Sequence, residues 1–175
     1  LRWAGHDRVA VLDGGLQGWT AAGGALDRSV QQRQPVRFEP AWRDDRVVAT
    51  DELAPMIGRG DCVLVDARGP DRFEGRVEPI DPVAGHVPGA VNHPCQRNLD
   101  ADGRFLPPAQ LLERWRDTLG GRAPASAVCM CGSGVTACHD LLALEHAGLS
   151  GARLYAGSWS EWIRDPGRPV ARGGA

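Results

Sequence analysis

The chain has 175 residues, 42% of them hydrophobic and 24% charged, and its 20 basic and 22 acidic residues give a formal net charge of -2. Such a composition fits one ordinary globular domain plus additional segments, and it gives no basic surplus for nucleic acid or an anionic membrane. All the basic residues are arginine, so a Schiff base or a Walker-type phosphate loop cannot be built, whereas arginine's planar fork suits a carboxylate or an oxyanion.

The N-terminus, LRWAGHDRVAVLDGG, has no continuous apolar stretch and no small-residue cleavage site, so it does not read as a signal peptide. No apolar run is long enough for a membrane span. Residues 9–19 (VAVLDGGLQGW) align without gaps to residues 152–162 (ARLYAGSWSEW), with Gly14 on Gly157 and Trp19 on Trp162. Each copy predicts a short strand, a glycine turn and a helix start carrying an inward tryptophan. If the second copy closes a domain, the first closes an earlier one. Residues 1–25 are then the end of a preceding domain, with a strand lacking its sheet, and the polar, aperiodic residues 26–46 are a linker.

From residue 47 the pattern becomes regular. Val47-Val48 predicts a strand, and Thr50 is expected to cap a helix, TDELAPMIGRG, that stops at glycine. Cys62–Asp66 suits a buried parallel strand, and DARGPDRFEG follows as a loop or helix start. His86–Val91 predicts a turn into a short strand. The run from Pro107 opens with proline at a helix N-terminus and has apolar residues at helical spacing. Ala127–Met130 is a strand, Gly132–Thr136 a loop, Ala137–Ala147 a helix, and Leu154-Tyr155 the last strand. Alternating strands and helices predict an α/β domain over 47–172, with a mostly parallel central sheet flanked by helices. Ligands of such sheets bind beyond the carboxyl ends of strands, which is where Cys131 falls.

Three of the five cysteines crowd into VCMCGSGVTACHD. Cys129, Cys131, Cys138 and His139 make a C-x-C-x6-C-H pattern that matches no usual zinc spacing, so no metal site is expected. Cys62, Cys129, Cys138 and Cys95 read as core thiols. An odd number at irregular spacing argues for a reducing compartment, hence the cytoplasm. Cys131 differs, because it follows a strand and precedes Gly-Ser-Gly-Val-Thr and a helix. Glycines let successive N–H groups curl around an anion, and a thiolate there is stabilised. The same residues also fit a glycine turn that merely contains a cysteine. A phosphatase built on this plan needs an arginine six positions after the cysteine, and that position is Ala137.

These residues resemble the rhodanese superfamily. Cys131-Gly-Ser-Gly-Val-Thr136 is similar to the active loop of 3-mercaptopyruvate sulfurtransferases, whereas thiosulfate sulfurtransferases carry Arg-Lys where this chain has Gly132-Ser133. Asp66-Ala-Arg68, Arg72-Phe73, Gly85-His-Val-Pro-Gly-Ala90 and residues 155–162 extend the resemblance from about 47 to 170. It implies a tandem arrangement, with this chain holding the catalytic half and a remnant of an inactive first domain. It also implies that Cys131 takes sulfur from 3-mercaptopyruvate or thiosulfate as a persulfide, with no other cofactor, and passes it to a thiol such as thioredoxin, a small thiol or cyanide. On this resemblance Ser133 relays protons, although a serine here equally suits a hydrogen bond within the loop, and Arg72 grips the donor carboxylate. Gly132, Gly134, Val135 and Thr136 cradle the donor, and Asp66 and Arg68 support the loop. His86 resembles a turn-stabilising residue. Arg72 equally suits a surface ion pair beside Asp71 and Glu74.

Relatives carry a second carboxylate-binding arginine after Arg72. Here Ile80 or Asp81 stands near that place, with Arg76 as a substitute, and an acid would repel a carboxylate. That departure supports an alternative reading, a non-catalytic or sulfur-relay binding module. Without the first domain, weak activity and self-association through an apolar face are expected.

Overall fold

The computed structural model describes residues 1–174. Five parallel strands form one sheet: β1 (Val47–Val48), β2 (Val63–Asp66), β3 (Val91–Asn92), β4 (Ala127–Met130) and β5 (Arg153–Tyr155), in the order β1-β5-β4-β2-β3. The helices are α1 (Gly15–Ala21), α2 (Thr50–Arg59), α3 (Pro70–Phe73), α4 (Pro108–Leu119), α5 (Ala137–His146) and α6 (Ser158–Trp162). Each helix of the domain sits where its apolar spacing or proline start places it.

The period of two along the strands divides the interior. Leu64, Val128 and Met130 face one layer with Leu53, Phe73, Tyr155, Trp159 and Trp162. Val65, Cys129 and Cys131 face the other with Leu111, Trp115, Leu119, Ala137 and Leu144. On α4, Leu111, Trp115 and Leu119 recur every four residues and are all buried, so one helical stripe fills that layer.

After β2 the chain turns to α3 on the first face, and after β4 it turns to α5 on the second. The crevice between the carboxyl ends of β2 and β4 is therefore a topological switch point, the usual ligand position in open α/β sheets. A short antiparallel bridge between His86 and Ala171 ties the chain's end to the start of the GHVPGA segment. His86 Nδ1 lies 2.7 Å from the Phe73 carbonyl oxygen and its ring stacks on Phe73.

Thr50 does not cap α2. Ala49 is the N-cap and gives no side-chain bond, while the buried Thr50 hydroxyl donates to Glu161 Oε1 at 2.6 Å and lies 2.8 Å from the Tyr155 hydroxyl. The buried Tyr155 hydroxyl and the half-buried Glu161 carboxylate compete successfully for it, because an unmet hydrogen bond beside the core is costly.

The two repeat copies differ. Trp162 is 3% exposed and donates from Nε1 to the Pro169 carbonyl, whereas Trp19 is 44% exposed and residues 9–12 pair with no strand. The inward tryptophan expected in the first copy faces outward, since no sheet lies beneath it. Residues 22–43 form no helix or strand.

Candidate active site

β4 ends at Met130, and Cys131 begins a tight loop whose carbonyls are pinned by α6. Trp159 N donates to the Cys131 carbonyl at 3.0 Å, and Ser160 N donates to the Gly132 carbonyl at 2.9 Å. Cys131 N donates to Ser158 Oγ at 3.0 Å, and Ser158 Oγ donates to the Tyr155 carbonyl. Ser158 holds a left-handed φ of 54°, the one non-glycine residue to do so among the described residues. Backbone strain of this kind persists only where the surroundings fix it. Here the bonds to Cys131 and Tyr155 do so.

With its carbonyls held from behind, the loop leaves the N–H groups of residues 132–136 without an acceptor among the described residues. Five consecutive unpaired amides ahead of α5 form a positive concavity suited to an anion. Gly134 is required by the backbone. Its φ is +81° and a Cβ there would lie 2.5 Å from the Ala156 carbonyl oxygen.

A cavity of about 300 Å³ opens over the loop, and Cys131, Gly132, Ser133 and Thr136 line it together with Arg68 and Arg72. Gly134 and Val135 do not line it: Gly134 packs on Ala156 and Val135 is 76% exposed. Ser133 lies exposed at the rim. Asp66, fully buried, accepts bonds from Arg68 N at 3.0 Å and Arg68 Nη2 at 2.7 Å. Arg68 also donates to the Gly85 carbonyl and lies over the Trp159 ring. The buried pair thus ties β2, the Gly85 turn and α6 together under the cavity.

Arg72 is committed to other partners than those the sequence suggested. Its Nε lies 3.1 Å from both Glu78 oxygens, its Nη2 is 2.7 Å from Glu78 Oε1, and Nη2 also lies 3.3 Å from Asp81 Oδ2. Burial pushes the Glu78 carboxyl up, but hydrogen bonds from Arg72, Asp81 N and Ile80 N outweigh it and hold the group below the usual glutamate range. Asp71 and Glu74, the expected neighbours of Arg72, pair with Arg76 instead. Arg76 is thereby drawn to the outer surface and does not line the cavity.

Two thiols expected in the core lie elsewhere. Cys138 is exposed, because position 138 follows the buried Ala137 onto the outer face of α5, and its Sγ lies 3.3 Å from the Gly134 carbonyl oxygen. Cys95 is half-buried on the cavity wall, its amide bonded to the Ala67 carbonyl at 3.2 Å. Burial raises the Cys95 thiol pKa, with the Asp140 and Cys131 charges adding to the effect. Among the described residues no three His, Cys, Asp or Glu side chains are arranged to hold a metal ion.

Sequence reasoning missed Gln96 and Ser160 on the cavity wall, and also Asp140. Asp140 is fully buried in the first turn of α5. Its Oδ1 accepts from Asn98 Nδ2 at 2.7 Å and its Oδ2 has no partner. Burial pushes its pKa up to about 8, and the charge of Asp66 adds to the rise. No periodic signal marks such a residue, since in sequence it is one polar position on a helix.

The Rhodanese-like domain family matches residues 49–165. A Pseudomonas aeruginosa protein named "Probable 3-mercaptopyruvate sulfurtransferase" is 51% identical over 174 residues, covering 99% of this chain and 61% of that protein. The Arabidopsis thaliana "Thiosulfate/3-mercaptopyruvate sulfurtransferase 2" is 32% identical over 97% of this chain and 56% of its own length. In structure, the anaerobic ergothioneine biosynthesis enzyme from Chlorobium limicola, solved with trimethyl histidine, superposes with a TM-score of 0.86 at 27% identity, over 98% of this chain and 43% of that one. The chain thus spans about three fifths of the length of the curated relatives it matches.

Proposed function

The chain belongs to the rhodanese-like family, and on that premise we propose that it transfers sulfur through Cys131. One observation carries the reading: Cys131, just past the carboxyl end of β4, lines the cavity at the head of five unpartnered amides. An attacking thiolate and the anion it becomes are stabilised by the same donors.

With 3-mercaptopyruvate, the Cys131 thiolate attacks the donor sulfur. An S–S bond forms, the donor C–S bond breaks with its electron pair going to carbon, and the thiol proton ends on that carbon. The products are the Cys131 persulfide anion and pyruvate. With thiosulfate the S–S bond breaks and sulfite leaves. An acceptor thiolate then attacks the outer sulfur and regenerates Cys131. The persulfide is the only prosthetic group this cycle needs. In this reading Ser133, on the cavity lining, passes the proton, and a nitrogen of Arg72 meets the donor's carboxylate. Asp66 and Arg68 hold the loop's floor.

Acceptors in this reading are thioredoxin or small thiols. We place the chemistry in the cytoplasm, whose reducing poise suits five unpaired cysteines; no helix among the described residues is long and apolar enough to cross a membrane. We also read residues 1–25 as the end of a preceding domain, supported by the exposed side chains of Val11, Leu12, Leu16 and Trp19.

A second reading, a sulfur-relay module without its own donor reaction, is favoured by the pairing of Arg72 with Glu78 and Asp81. Mass spectrometry after incubation with each donor separates the two. A gain of one sulfur on Cys131 supports the enzyme; no gain from 3-mercaptopyruvate or thiosulfate, with gain from a persulfidated protein, supports the relay.

A further inference from the structure

Asp81 lies on the cavity wall with both oxygens engaged. Its Oδ1 is 2.8 Å from Ser160 Oγ, which is also 2.8 Å from the Gly132 carbonyl oxygen, and its Oδ2 is 3.3 Å from Arg72 Nη2. Its side chain is only 8% exposed. The carboxylate is therefore fixed beside the catalytic loop. It is tied to that loop through Ser160 and to the segment before it through its own amide, which donates to Glu78 Oε1.

Beyond the loop amides that hold the sulfur anion, the surrounding side-chain charges do not favour a further anion. Arg68 and Arg72 face Asp66, Glu78 and Asp81, two guanidiniums against three carboxylates, so the cluster carries one excess negative charge before Cys131 ionises. Glu78 spans the Nε–Nη2 edge of Arg72, and Asp81 adds to Nη2. Only Nη1 has no partner among the described residues. The guanidinium lies beside Gly132, where an added Cβ would sit 3.6 Å from Nη1. An incoming carboxylate thus finds one nitrogen instead of a two-pronged fork, and meets it within range of Asp81.

We propose that Asp81 is a specificity-determining residue that selects by charge what reaches Cys131. It disfavours carboxylate-bearing reagents and favours neutral or ammonium-bearing ones, so the preferred sulfur acceptor is a thiol without a carboxylate close to its sulfur. The statement about acceptors rests on the sulfurtransferase reading; the charge selection at Cys131 does not.

The test therefore begins with reagents that need no sulfur transfer. Alkylation of Cys131 by anionic iodoacetate and by neutral iodoacetamide is timed by peptide mass spectrometry, which resolves it from the other four cysteines. The ratio of the two rates cancels the intrinsic reactivity of the thiolate. Asp81→Asn keeps an acceptor for Ser160 and removes the charge. It should raise the iodoacetate-to-iodoacetamide ratio about tenfold, as expected for a unit charge several ångströms away in a partly screened cavity. Asp81→Glu should keep the wild-type ratio. In the unmodified protein the ratio should rise as salt screens the repulsion.

A ratio unchanged in Asp81→Asn, or one that falls with salt in the wild type, overturns the proposal. So does an equal change in both rates, which would mean a distorted loop. With 3-mercaptopyruvate as donor, Asp81→Asn should raise kcat/KM by a similar factor. If the alkylation ratio shifts while no donor places sulfur on Cys131, the role of Asp81 stands and the sulfurtransferase reading falls.

Discussion

Glu78 holds Arg72 along one edge of its guanidinium, with Nη2 to Oε1 at 2.7 Å and Nε 3.1 Å from both oxygens. The carboxylate is 3% exposed and the guanidinium 22%. This pair turns the cation facing Cys131 into a partly spent one. A bidentate charge pair with one buried member is geometrically firm, and removing one partner leaves the other uncompensated.

Arg72→Gln should therefore do two things at once. It should lower kcat/KM for 3-mercaptopyruvate by about three- to tenfold, less than the loss of a full two-pronged carboxylate grip. It should also destabilise the fold by roughly 1–3 kcal/mol through the stranded Glu78. Steady-state kinetics and urea melts measure both. An unchanged melt would show that Glu78 finds water or another donor.

Cys131→Ser should abolish sulfur uptake and lower turnover by at least about a thousandfold, because a serine hydroxyl is a far poorer nucleophile at neutral pH. Its melting temperature should stay near that of the wild type. Residual uptake at Cys95, the other thiol on the cavity wall, would move the nucleophile.

Gly134→Ala should cost about 2–4 kcal/mol and most activity. It forces a φ of +81° on an alanine and drives its Cβ against the Ala156 carbonyl. Val135→Ala, beside it but 76% exposed, should change stability by less than about 0.5 kcal/mol. Thermal melts of the two variants compare adjacent positions of one loop.

The buried carboxyl of Asp140 makes stability pH-dependent. Its folded pKa of about 8 lies above the ordinary aspartate value, so between the two the folded state binds more protons and stability falls as pH rises. His93 acts oppositely. Burial, the largest cause, lowers its pKa to about 4, so it adds stability as pH rises toward its unfolded value of about 6.5. Between about pH 6.5 and 8, Asp140 is the one of the two whose charge state still differs between folded and unfolded chains. Over that window Asp140→Asn should gain on the wild type by roughly 1–2 kcal/mol. Melts at pH 6.5 and 8 giving a constant difference would sink this assignment.

Trp162→Ala should cost about 3–5 kcal/mol, and Trp19→Ser less than about 0.5 kcal/mol. Trp162 is buried and hydrogen-bonded, whereas its counterpart in the first repeat copy is 44% exposed. Equal costs would mean that Trp19 is covered in solution, and light scattering would then find the self-association that covers it.

The α/β alternation, the five strands to within a residue or two, and Cys131 as the nucleophile candidate were legible in the sequence. These are local properties. Short continuous apolar runs, apolar residues every four along α4, a proline at its start and glycines after Cys131 constrain the backbone wherever the chain is placed. The resemblance between residues 9–19 and 152–162 extends to a helix after the glycine turn in each, but residues 9–12 form no strand and the two tryptophans meet different surroundings. The partners of side chains emerged only in the folded arrangement. Thr50 left its capping role for Tyr155 and Glu161, and Cys95 reached the cavity wall because β3 lies beside β2. Asp71 and Glu74 stand closer to Arg72 in the chain, but the turn at Gly75 delivers them to Arg76 and the following loop folds Glu78 back onto Arg72. Charge pairing depends on distance and burial through space, and neither is a property of spacing along the chain.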